Sequence, residues 1–133
     1  MYRVEFYSDK DNHSDIEEFL DELKEKSKTS KNDRIQLKQI LFYIDLLSKV
    51  GTRLGDNYTK FIEDGIWELR PGFNRIFYFY YDNDQFVLLH HFRKKTQKTP
   101  KKEIVRAKNE RDDYLNRKKG DRLWHHGMNI KKK

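Results

Sequence analysis

The sequence predicts one α+β domain, with an N-terminal strand and a helical hairpin packed on a small antiparallel sheet in the order β-α-α-β-β-β-α. Three observations lead there. Apolar residues from Ile16 to Leu47 recur at helical spacing, whereas those from Ile66 to Phe92 alternate or run together as strands do. The chain has 133 residues, a length that usually builds a single core. Its 38% charged content would suit a disordered chain, but 14% aromatic content would not, because disordered segments are poor in Phe, Tyr and Trp.

Residues 2–8 set Tyr2, Val4 and Phe6 against Arg3, Glu5 and Tyr7, a strand period. Ser14-Asp15-Ile16-Glu17 has the form of a capping box at a helix start, and Ile16, Phe19, Leu20 and Leu23 then form one apolar face. A polar linker, Lys26–Asn32, leads to a second helix over 33–50, whose stripe is Leu37, Ile40, Leu41, Ile44 and Leu47. Gly51 stands where a left-handed C-cap would be needed.

Strands follow at 65–70, 75–81 and 85–92, separated by Pro71-Gly72 and by the turn-forming Asp82-Asn83-Asp84. Short connections make them an antiparallel meander, and their continuous apolar runs call for cover on both faces. Thr99-Pro100 reads as N-cap and first residue of a last helix, with the thin stripe Ile104, Ala107, Tyr114 and Leu115. One domain therefore spans residues 1–119. Beyond it, 120–133 carries no period and is expected to be a loosely held basic tail.

Composition removes several function classes. Without cysteine there is no disulfide scaffold, cysteine zinc site or thiol nucleophile. No apolar run approaches the ~20 residues of a membrane span, and the alternating N-terminus is unlike a signal peptide, so a soluble cytoplasmic protein with no membrane partner is expected. Phosphate-binding Gly-rich loops, G-x-S-x-G and H-E-x-x-H are missing from the sequence, and His125-His126 has no metal-ligand spacing. No metal and no cofactor are expected.

Charge is polarised along the chain. Residues 93–133 hold 16 basic and 5 acidic side chains within an overall charge of +7. One end thus suits a polyanion, whose counterions are released as Lys and Arg neutralise phosphates. Arg70 ends one strand and Arg75 begins the next, so hairpin geometry makes them neighbours able to fork a phosphate. The run Phe92-Arg93-Lys94-Lys95-Thr96-Gln97-Lys98-Thr99-Pro100 leaves the adjacent strand with four cations and enters a helix N-terminus, which also favours anions. Crowded ammonium groups disfavour one another, which eases loss of a proton from one lysine. Glu68 shares a strand face with Arg70 and is either a base or an orienting group. His90 and His91 point to opposite faces, so at most one enters a given cleft, and His91 is the candidate. Trp67 and one or two residues of the 77–80 aromatic run could stack bases.

Ile66-Trp67-Glu68-Leu69-Arg70, Asn74-Arg75-Ile76-Phe77-Tyr78 and Val87-Leu88-Leu89-His90, followed by Phe92-x-Lys94-Lys95-Thr96-x-Lys98-Thr99-Pro100, resemble the HigB-like, phage-derived branch of the RelE/ParE toxin superfamily. Glu103-Ile104 and Ala107 extend the likeness, which covers about residues 60–115. The resemblance implies a RelE-like fold and a type II toxin–antitoxin toxin: a metal-independent ribonuclease that enters the ribosomal A site and cuts mRNA by 2′-OH attack on the neighbouring phosphate. It assigns Arg70, Arg75, Lys94 and Lys95 to catalysis, with Lys98 of the same motif as an RNA contact; Lys60 and Arg93 are further candidate RNA contacts. Its implied partner is a helix-turn-helix, HigA-like antitoxin encoded nearby, in a heterotetrameric complex that binds operator DNA through the antitoxin. Two alternatives stay open. One is a ParE-type DNA gyrase poison on the same fold, and the other a non-catalytic RNA-binding module.

Overall fold

The computed structural model describes residues 1–82 and 84–132, with side chains described for 1–82 and 84–121. Its elements are β1 (Arg3–Phe6), α1 (Asp15–Lys26), α2 (Lys31–Val50), a 3-10 turn (Gly51–Leu54), β2 (Thr59–Glu63), β3 (Ile66–Leu69), β4 (Asn74–Tyr81), β5 (Gln85–Arg93) and α3 (Lys101–Lys132). The strands form one five-stranded sheet in the order β1-β5-β4-β3-β2.

Two expectations about the sheet need correction. A fourth meander strand, β2, precedes the expected three and pairs antiparallel with β3. Thr-Lys-Phe-Ile-Glu is an edge strand with only Thr59 buried, so it lacks the apolar run that marks a covered strand. The sheet is also mixed rather than antiparallel, because β1 pairs parallel with β5. The helical hairpin carries the chain across the sheet between β1 and the meander, and such a crossover permits parallel pairing where a tight turn would not.

The helix starts follow from local chemistry. The Ser14 hydroxyl accepts from the Glu17 N–H at 3.2 Å, and Ser30 does the same for Asp33 at 3.3 Å. The second helix therefore begins two residues before the expected Asp33. Gly51 closes α2 at φ +73°, and a Cβ there would lie 2.9 Å from the Tyr2 ring, so glycine is needed for both backbone and space.

Both faces of the sheet are covered, as the apolar runs require. Ile76, Tyr78, Phe86 and Leu88 pack under Ile16 and Leu23 of α1 and Ile40 and Leu47 of α2. Phe77, Phe79, Val87 and Leu89 point the other way, onto Ala107 and Tyr114 of α3. Leu41 and Leu115, expected in the helix stripes, are exposed. Each is turned about 100° from a buried neighbour, Ile40 or Tyr114, which takes the core position.

The last helix starts at Lys101, one residue later than expected, with the Pro100 carbonyl accepting from the N–H groups of Glu103 and Ile104. It does not stop at Gly120, where an exposed helical glycine costs only about 1 kcal/mol. The side chains of nearly all the expected 120–133 tail, including His125-His126, lie outside those described, as does Asn83 of the expected 82–84 turn. No helix among the described residues is long and apolar enough to cross a membrane.

Candidate nucleic-acid cleft

The α3 face of the sheet ends in a cleft of about 330 Å³. Strand alternation sends Glu68 to this face together with Ile66, and Arg75 together with Phe77 and Phe79. Register completes the gathering. Leu69 pairs with Ile76, which brings the strand ends bearing Arg70 and Arg75 together, and Lys60 of β2 stands opposite Glu68. Lys94, Lys95 and Lys98, in the segment leaving β5, line the same cleft, as do Thr99 and Lys101 at the start of α3.

Glu68 lies at the centre and is 3% exposed. Its Oε1 is 3.6 Å from Nε of Arg70 and 3.7 Å from Nε of Arg75. Its Oε2 accepts a 3.0 Å hydrogen bond from the Thr99 hydroxyl. The threonine expected to cap α3 therefore ties the carboxylate to the loop instead. The backbone beneath Glu68 is pinned by Thr59, whose hydroxyl donates to the Glu68 carbonyl at 2.9 Å and meets the Tyr78 hydroxyl at 2.5 Å.

Arg75 is 6% exposed. Its Nη1 donates to the carbonyls of Gly72 and Asn74, both at 2.8 Å. Burial draws its pKa below the ordinary arginine value; Glu68 opposes that shift and Arg70 adds to it. A guanidinium remains charged throughout the physiological range despite such a shift. Arg70 is more open and reaches the Asp56 carbonyl at 3.2 Å. Lys60, Lys94, Lys95 and Lys98 have no carboxylate partner among the described residues. Of the two carboxylates lining the cleft, Glu68 holds the arginines and Glu63 pairs with Lys108. The free ammonium groups thus give the cleft a field suited to a phosphodiester.

A larger groove, about 680 Å³, runs between α1 and α3. Asp9, Asp15, Glu18 and Glu110 line it beside Lys102 and Arg106, and that acid-rich wall repels a polyanion. Of the two, the smaller cleft is the one whose charge suits a phosphate.

The structure brings Arg70, Arg75, Lys94, Lys95, Lys98, Lys60 and Glu68 together. It does not bring His91 to them. That ring lies on the hairpin face, stacked on Phe19 at 3.7 Å, with Nδ1 2.5 Å from Oδ1 of Asp15. Its position next to buried His90 turns it away from the cleft by the period of two. Arg93 is likewise outside, with its guanidinium 5.6 Å from the Phe73 ring centre. Trp67 packs on the hairpin side between Phe61 and Tyr78 and is no base platform in the cleft.

His90, 0% exposed, is a structural member that the sequence placed only on the face opposite His91. Its Nδ1 is 2.5 Å from Oε1 of Glu110 and its Nε2 is 3.3 Å from Oε1 of Glu103. These bonds fix the first turns of α3, and with them Lys101 and Ile104 at the cleft wall. The seven-residue spacing of Glu103 and Glu110, which puts both on one helix face, was the available signal.

Residues 18–112 match the profile of a family described as phage-derived proteins, Gp49-like (DUF891). Comparison with curated proteins gives no match.

Proposed function

We propose that this chain, which belongs to the Gp49-like phage-derived protein family of the RelE/ParE-type toxin group, is the toxin of a type II toxin–antitoxin system and acts as a ribosome-dependent mRNA endoribonuclease of HigB-like specificity. The observation that carries this reading is the shared carboxylate: Glu68 holds Arg70 and Arg75 side by side in a cleft whose lysines have no carboxylate partner among the described residues.

RNA cleavage by the ribose 2′-OH needs a base at that hydroxyl, an acid at the leaving 5′-oxygen and positive charge on the equatorial phosphate oxygens. Arg75 and Arg70 supply the charge from positions fixed before substrate arrives. Lys94 and Lys95 serve the two proton transfers, one from the 2′-OH and one to the leaving 5′-oxygen, which leaves a 2′,3′-cyclic phosphate and a 5′-hydroxyl. Glu68 is a positioning residue, because both its oxygens already hold cleft side chains. Lys98 and Lys60 extend the phosphate track.

The ribosome contributes alignment of the 2′-OH with the scissile bond, a positional effect that can be large. The neutralising partner is a helix-turn-helix antitoxin encoded nearby, in a heterotetramer that contacts operator DNA through the antitoxin. The reading is tested by comparing cleavage of one message, naked and on programmed ribosomes, by purified protein. Fast cutting only on ribosomes is expected. Equal rates would remove the ribosome from the account, and an intact message with arrested gyrase would favour the ParE-type activity.

A further inference from the structure

Phe73 is the most exposed aromatic side chain of the described domain, at 67%. Its backbone is fixed on every side. The Asn74 N–H donates to the Pro71 carbonyl at 3.0 Å, and the Lys94 N–H donates to the Phe73 carbonyl at 2.7 Å. Gly72 takes φ +61° above Gln39, whose Oε1 would lie 2.6 Å from a Cβ at that position. The Asn74 side chain donates to Gln36 at 2.6 Å, and Arg75 grips the Gly72 carbonyl. A turn tip held this firmly, with a large ring pointing to solvent, sits poorly with simple burial preference.

What surrounds the ring gives it a use. The Arg93 guanidinium lies 5.6 Å from its centre. A second hollow, lined by Phe73 together with Arg75, Lys94, Lys95 and Gln97, shares those cationic walls with the main cleft. Only one residue of backbone separates Phe73 from the arginine that holds the phosphate. An RNA strand carries a flat base beside each phosphate, and aromatic rings and guanidinium planes are the groups on which unpaired bases stack.

We infer that Phe73 and Arg93 form a stacking platform for a nucleobase of the single-stranded RNA whose phosphate lies at Arg75 and Lys94. The inference rests on the ribonuclease reading and extends it to the base beside the cut. It also gives Arg93, which stands outside the phosphate cleft, a role in RNA contact. An acidic protein segment could use the same cations but would draw less from the ring.

The test uses the full chain with two probes: an uncleavable, fully 2′-O-methylated RNA oligonucleotide, and inorganic polyphosphate as a polyanion without bases. Stacking contributes about 1–3 kcal/mol per base, so Phe73→Leu should weaken oligonucleotide binding by about 5- to 150-fold. Polyphosphate affinity should stay unchanged. Phe73→Trp should retain oligonucleotide affinity, and its added emission should respond to the oligonucleotide but not to polyphosphate. Unchanged oligonucleotide binding by the leucine variant, or equal losses for both probes, would overturn the platform while leaving the nuclease reading standing. Failure of the unmodified protein to bind the oligonucleotide, while cutting no message, would remove both.

Discussion

Nε of Arg75 lies 3.7 Å from Oε1 of Glu68, and both side chains are nearly sealed from solvent. A buried carboxylate beside a buried guanidinium is weak evidence for stability, because desolvation offsets much of the attraction. It is better explained as a device that aims a cation. Arg70 uses the same oxygen, so one acidic group sets the spacing of two guanidinium forks.

Removing that carboxylate should therefore disturb function more than fold. Glu68→Gln keeps the shape and the Thr99 contact but loses the charge. We expect it to cut cleavage of ribosome-bound message by about 10²-fold, near the lower range for losing one preorganised donor. Its urea midpoint should fall by the equivalent of about 1–3 kcal/mol, less than a fully buried pair because the Arg70 end is open. Single-turnover rates and equilibrium unfolding read the two effects separately.

His90 is expected to matter in the opposite proportion. With both ring nitrogens facing α3 carboxylates, His90→Leu leaves Glu103 and Glu110 against an apolar side chain. The loss should be about 3 kcal/mol or more in equilibrium urea unfolding. His90→Gln, which can still donate to one carboxylate, should recover part of it. A leucine variant as stable as the parent would show that α3 does not depend on this clamp.

Acid should find a different weak point. Burial would raise the Asp15 carboxyl, but the ring and backbone N–H of His91, together with Arg106, outweigh it and hold its pKa below the ordinary value. A carboxyl lowered on folding contributes stability above its unfolded pKa, about 3.9, and loses it as pH falls through the lower folded value. Asp15→Asn should thus cost stability at pH 7, and the gap between variant and parent should narrow below about pH 4. Urea midpoints from pH 7 to pH 2 check both the sign and the window. A gap independent of pH would contradict it.

Gly51 offers a backbone test. Gly51→Ala must adopt φ +73° with its methyl against the Tyr2 ring, so a loss of about 1–3 kcal/mol is expected. Pairing it with Tyr2→Ala should recover the steric share and leave the backbone share, which a double-mutant cycle separates.

Much of this was legible in the chain. The Ser14 cap, the i, i+3, i+4 stripes apart from Leu41 and Leu115, and the aromatic strand run each state a local preference, and the structure honours them. The spacing of Arg70, Arg75 and the 93–98 cations was enough to place most of them at one rim. What escaped depends on long-range pairing. An alternating strand reads the same whether its neighbour runs parallel or antiparallel, so the β1–β5 pairing was invisible. β2 is half solvent-facing and lacks an apolar run. Glu68 shares its strand face with Arg70 but acquires Arg75 only through the β3–β4 register, and His90 its glutamates only once α3 docks. Phe73 has the composition of a core residue, and its exposure follows from a turn that Gln36 and Gln39 hold in place.

The central claim is that cations gathered around Glu68 cut message. It is tested most directly by mapping mRNA ends after induction of the parent and of Arg75→Ala and Lys95→Ala variants, each expressed with and without antitoxin. Discrete breaks with 5′-hydroxyl and 2′,3′-cyclic phosphate ends are expected in the parent. Both variants should lose the breaks and the growth arrest while still binding antitoxin. Growth arrest with intact message, or variants that cut as the parent does, would contradict it.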